Sequence, residues 1–250
     1  MKALLSLTAG VAMAAMLMPV SAMAGILGSA HDFSAETTWN STGEICKVCH
    51  VPHSHGEVDH NSKGRGSVGL LWARDTSAST YRMYSEAQTT DSNFIGFIDV
   101  TQAAEPDGTS KLCLGCHDDT IALSDFTENV DATDIANTST KTLSQFAADS
   151  DAVIPRFMSG SDKDLAQTHP ISVIYDSSKF HNGHTRLAGE GTTMGSGTIG
   201  DMLEGYTGTT GTGKVQCATC HDVHNEEALG DPLLRVDNAG SALCRTCHLK

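Results

Sequence analysis

The sequence predicts a mostly irregular chain with short α-helices and few strands, wrapped around covalently attached groups and not around a large apolar core of its own. Three observations predict it. All eight cysteines fall into one five-residue pattern: Cys46-Lys-Val-Cys49-His50, Cys113-Leu-Gly-Cys116-His117, Cys217-Ala-Thr-Cys220-His221 and Cys244-Arg-Thr-Cys247-His248. Aromatic residues are only 5% of the chain, too few large apolar side chains for a strong core. The Gly- and Thr-rich stretch from Gly189 to Gly213 has no helical period, so it reads as extended or looped surface.

The Cys-x-x-Cys-His pattern reads as covalent attachment of c-type haem, here four times. Two cysteines three residues apart face one side of a helical turn, where each is placed to form a thioether with a haem vinyl group. The histidine that follows supplies the proximal iron ligand. Cys46, Cys49, Cys113, Cys116, Cys217, Cys220, Cys244 and Cys247 are thus the anchors, and His50, His117, His221 and His248 the proximal ligands. Structural zinc held by paired Cys-x-x-Cys units is the competing reading, but zinc does not require a histidine after every pair. With 12 histidines in 250 residues, four such coincidences have a probability of roughly five in a million if positions are independent. Large apolar porphyrin faces would supply the missing core, which couples cofactor loading to folding.

Residues 1–24 read as a secretory signal peptide: Met1-Lys2, an apolar run from Ala3 to Val20, then Ala22-Met23-Ala24 as a small-residue cleavage site. The expected mature chain is 25–250, one tetrahaem domain with no transmembrane segment, secreted to the cell surface or beyond, alternatively to the periplasm. It keeps 15 of the 16 basic residues against all 30 acidic ones, a formal charge of −15. That argues against nucleic acid as a partner and against docking on anionic lipid.

The motifs begin 67, 104 and 27 residues apart and alternate in type. The first (CHVPH) and third (CHDVH) carry a second histidine three residues on, and the other two do not. This predicts a duplicated two-haem unit, about 25–124 and 167–250, separated by a polar insert, 124–167. Within the insert, Leu143, Phe146 and Ala147 predict a helix from Lys141 to Asp149. Ser241 is the expected N-cap of a short helix carrying the last motif.

Eight histidines remain for the distal iron positions, and four would make every haem bis-histidine. His53 and His224 sit three residues past a proximal histidine, where they can reach the iron of an adjacent haem and set two haems side by side. His169 precedes Pro170, which favours an extended backbone, and His31 lies on an N-terminal arm. These four are the expected distal ligands. His55, His60, His181 and His184 lie among polar residues and read as solvent-exposed, with His181 and His184 a weaker accessory metal site. Met83, Met158, Met194 and Met202 are the mature methionines, so His–Met ligation is less supported than bis-histidine.

Taken together, AHDFS, CHVPH, LCLGCHDD, THPIS, CATCHDVHN and LCRTCHLK resemble the multihaem cytochromes with paired motifs, and among them the extracellular tetrahaem filaments of the OmcE type. The resemblance implies electron transfer through bis-histidine haems stacked continuously from subunit to subunit. It implies the same proximal and distal ligands, self-association into a filament, other redox proteins or a metal oxide as partners, and no catalysed reaction. It also implies a ligand donated between subunits, with His31 the first suspect. The alternatives are a soluble periplasmic carrier and a multihaem oxidoreductase with one open haem; a haem-based sensor has no attached signalling domain to support it.

Overall fold

The computed structural model describes residues 25–36, 39–50, 72, 74, 76–84, 101–123, 142–143, 145, 163–181, 185–226 and 233–249. Most of this chain is irregular, with a few short helices and very small sheets. The expected signal peptide and most of the polar insert lie outside the described residues. Among the described residues, no helix is long and apolar enough to cross a membrane.

Each motif sits on a short helical turn. The first occupies a 3-10 turn, Cys46–Val48. The second ends α1, Gly108–His117, the longest helix described. The third is α3, Cys217–Cys220, and the fourth ends α4, Ala242–Cys247. Helices this short do not hold in water by themselves. α1 is fixed by tertiary contact instead, burying Ser110, Leu112, Leu114 and Gly115. α3 is closed by reciprocal bonds between Gln216 and Thr219.

The expected N-cap of the last helix is corrected. Ser241 does occupy that position, but it is left-handed (φ 63°) and its side chain caps nothing. Gly240 before it also has φ 59°, so the tight turn, not a hydroxyl, starts α4.

The strands described all lie between Val173 and Leu249. β1 (Val173–Ile174) pairs antiparallel with β6 (Lys214–Val215). β2 (Phe180–His181), β3 (Thr185–Leu187) and β7 (His248–Leu249) form a second sheet in which Leu187 lies opposite His248. β4 (Thr193–Met194) and β5 (Gly197–Thr198) form a hairpin. Gly195, at φ 58°, opens its two-residue connection in the conformation of a type II′ turn.

This hairpin and the turn after it correct the reading of 189–213 as surface loop over 194–203, whereas Thr207–Thr210 are exposed as expected. Met194 and Ile199 are 1% and 0% exposed and anchor the largest apolar cluster, with Val173, Tyr175, Ala188, Leu203 and Val215. Ile199–Met202 is a one-turn helix, α2, held by a complete capping box of Thr198 and Asp201. Its apolar residues are spaced by a hairpin and one helical turn, so no single period marks them. Two smaller clusters complete the described core. Tyr81, Met83, Leu114 and Leu165 form one. Trp39, Val48 and Leu123 form the other, with Cys49, Cys116 and Leu143 packed against it. Leu143 and Gln145 are helical, and the rest of the helix expected over 141–149 lies outside the described residues, apart from Thr142.

Candidate haem-binding sites

The four motifs meet in chain order. The Cys116 thiol helps to raise that of Cys49, after burial, which pushes Cys49 up to about 11. The thiols of Cys113 and Cys217 act on each other, which raises the first and lowers the second. Burial pushes Cys220 up to about 11, with Cys247 the next contributor. Each motif therefore has a sulfur close to one of the next.

Three motif histidines face a histidine from elsewhere in the chain. His117 faces His31 at a ring-centroid separation of 6.0 Å, His50 faces His224 at 6.3 Å, and His248 faces His169 at 6.1 Å. Two imidazoles bonded at about 2.0–2.1 Å to opposite sides of one metal ion put their centroids roughly 6.3 Å apart. The three pairs thus leave room for one metal ion each, and every pair joins an expected proximal ligand to an expected distal one. Burial pushes His117 down to about 4, with His31 and His221 adding to the shift, so its ring is neutral and its lone pair free for a metal. Met83 and Met194 are buried in apolar clusters, away from these pairs.

Local structure presents each partner. On the N-terminal arm, Asp32 accepts from the Gly28 and Ser34 N–H groups at 2.7 and 3.0 Å. The fully buried Asn40 ties Phe33 to Glu44 through its side-chain amide. The arm is thereby folded so that His31 faces His117 of the same chain. After the third motif, buried Asp222 accepts from the His224 N–H at 3.1 Å and the Glu226 N–H at 2.6 Å, an Asx-turn that swings His224 away from His221. His169 is exposed and follows the 3-10 turn Leu165–Gln167, with Nδ1 lying 3.0 Å from the Pro170 carbonyl. The His221 backbone pairs with Leu234. His53, the candidate left to face it, lies outside the described residues, as do His55, His60 and His184. β2 carries His181.

Several residues the sequence reading did not single out shape these sites. Trp72 packs edge-on to His50 at 5.9 Å, and its buried indole N–H finds no hydrogen-bond partner among the described residues. A buried donor beside a proximal ligand fits a cofactor that carries acidic side chains. The buried Arg74 guanidinium donates to the carbonyls of Ala122 and Leu123 at 2.7 and 2.8 Å and reaches that of Val48 at 3.5 Å, joining motif one to the segment after motif two. Trp72 was legible in principle, being one of two tryptophans in the chain. Arg74 carries no local signal.

Among the described residues, no three His, Cys, Asp or Glu side chains gather as a zinc site would require. No protein-family model matches this chain. No curated protein matches it either.

Proposed function

We propose that this chain is an electron-transfer protein carrying four c-type haems, each ligated by two histidines. The observation that carries the proposal is the set of three facing imidazole pairs, each combining a Cys-x-x-Cys-His histidine with a distant one at a metal-spanning separation. The eight cysteines would anchor the haems. The iron pairs would be His50 with His224, His117 with His31 and His248 with His169, with His53 completing the set at His221. Haem, when bound, supplies an iron that gains and loses one electron with no substrate bond made or broken. The chain's own residues would hold each haem iron between two imidazoles and keep the motifs close to one another. Paired histidines favour low potentials, since they lack the potential-raising thioether of a methionine ligand. Closed axial positions disfavour the oxidoreductase reading, which needs an open iron.

The form of the carrier follows from the resemblance: an extracellular filament handing electrons from subunit to subunit toward redox proteins or a metal oxide. A soluble periplasmic carrier is the second reading. Intact-mass analysis of secreted protein is expected to give four haems, with a low-spin spectrum that carbon monoxide leaves unchanged. A high-spin band in the native protein would overturn complete bis-histidine ligation. Cryo-electron microscopy of the sheared extracellular fraction separates the two forms: ordered filaments support the conductor, and monomers confined to the periplasm support the carrier.

A further inference from the structure

Trp72 is tied to motif one through the backbone. It pairs antiparallel with His50 in an isolated bridge, and residues directly opposite in such a pair send their side chains to one face. The indole and the imidazole accordingly meet edge-on, at 86° and a centroid separation of 5.9 Å. Trp72 as a whole is only partly buried, yet its indole nitrogen lies inside and finds no acceptor among the described residues. That nitrogen can only donate. A phenylalanine would fill the same place without stranding a donor, so packing alone does not account for a tryptophan here. Arg74, two residues on, brings positive charge to the same motif. Its buried guanidinium donates to the carbonyls of Ala122 and Leu123 and keeps its charge. Burial and then Cys116 push the Cys49 thiol up, and the Arg74 charge works against them. A buried donor in need of an acceptor, close to a buried cation, suits an anion at motif one.

We propose that the Trp72 indole N–H donates a hydrogen bond to a propionate of the haem that His50 holds, in the positive field of Arg74. This rests on the proposed function, which places that haem on motif one. No covalent bond is made or broken: the indole keeps its proton and the propionate its charge. Trp72 is therefore a positioning residue for the first haem, acting on the cofactor's edge and not on its iron. The bond has a consequence for electron transfer. A propionate's negative charge favours the oxidised iron, and a donor that draws this charge toward itself weakens that preference. Trp72 thus holds the potential of the first haem above the value that the same propionate would set without it. A buried water is the rival acceptor, and it would carry no such effect.

The test uses the full chain matured with its haem-attachment machinery, its haem content first read by intact mass. Trp72→Phe keeps a ring against His50 and removes only the donor. Resonance Raman of this variant is expected to show the propionate bending band shifted for one haem, in a protein that stays low-spin. Electrochemical titration at a pH where propionates are ionised is expected to show one potential lowered and the others in place. An unmoved band with unmoved potentials overturns the proposal. A new high-spin band beside an unmoved propionate band overturns it too, and assigns Trp72 to packing alone. Should the variant take up less haem than the native chain, the native protein decides. Ultraviolet resonance Raman of its two tryptophans is expected to contain an indole N–H bonded to a charged acceptor, and the lack of that signature overturns the proposal. Failure of the haem reading is seen separately and earlier, as a native chain whose intact mass shows no haem.

Discussion

The third motif meets the first two by opposite means. Toward motif two it presents a buried polar seam in which Ser110, Gln216, Asp107 and Ser172 bond one another directly. Toward motif one it presents His224, on an exposed turn, facing His50 with their rings nearly parallel at 22° and 6.3 Å apart. The first seam is complete as protein. The second is two imidazoles face to face across a gap that, on the proposed function, a haem iron would fill. On the proposed function, one protein thus contains a join made by protein groups and a join that cofactor loading would make.

That contrast can be broken from either side. The largest loss of stability is expected for Gln216→Leu, which strips Ser110, Ser172 and Asp107 of a shared buried partner. Leaving such groups unpaired should cost about 3 kcal/mol, read as a fall in melting temperature with or without haem. Next comes Gly108→Ala. Gly108 has φ 52°, and Glu204, which accepts the Thr109 N–H, occupies the space a Cβ would need. Strain and the lost bond together should cost about 2 kcal/mol by the same melting measurement.

His224→Ala acts on the other join. It should scarcely move the melting temperature of the haem-free chain, yet open one haem in the loaded protein, seen as a new high-spin band and carbon monoxide binding at one site of four. An unaltered low-spin spectrum would remove the His50–His224 assignment. Asp222→Ala, which frees the backbone of His224 without touching the ring, should give a partial version of the same change.

The smallest effect is a pH dependence. Burial works against the Asp107 carboxylate, but hydrogen bonds from Lys214, Gln216 and Ser172 outweigh it and hold the group below the usual carboxylate range. The unfolded chain therefore binds the proton first, and the stabilisation is present above the unfolded value, about pH 3.9. It is lost as pH falls through the lower, folded value. Acid melting curves of Asp107→Asn should lack this decline, and retention of the full decline would assign it to other carboxylates.

The candidate site residues were easier to nominate from the sequence than the fold. The motif pattern is local, so the anchors and proximal histidines can be read from five residues at a time. His169 and His224 could be nominated from a following proline and a three-residue offset, and His31 from its place on the N-terminal arm. What each faces was not legible, since pairing residue 31 with 117 or 169 with 248 is a tertiary event. The largest core escaped for a related reason. Met194 lies in a hairpin and Ile199 at the first position of a one-turn helix, so neither period 2 nor period 3.6 runs long enough to register. The cross-seam role of Gln216 carries no local signal, because its seam partners Ser110, Ser172 and Asp107 are all more than forty residues away.

The order in which the motifs touch has a consequence for connectivity. Motifs one and two are neighbours through Cys49 and Cys116, two and three through Cys113 and Cys217, and three and four through Cys220 and Cys247. His50 and His224 add a direct edge from one to three. On the proposed function, and drawn as a circuit among the described residues, the first three nodes form a closed loop and the fourth joins through the third. A fault at the second node leaves a bypass open, whereas a fault at the third strands the fourth.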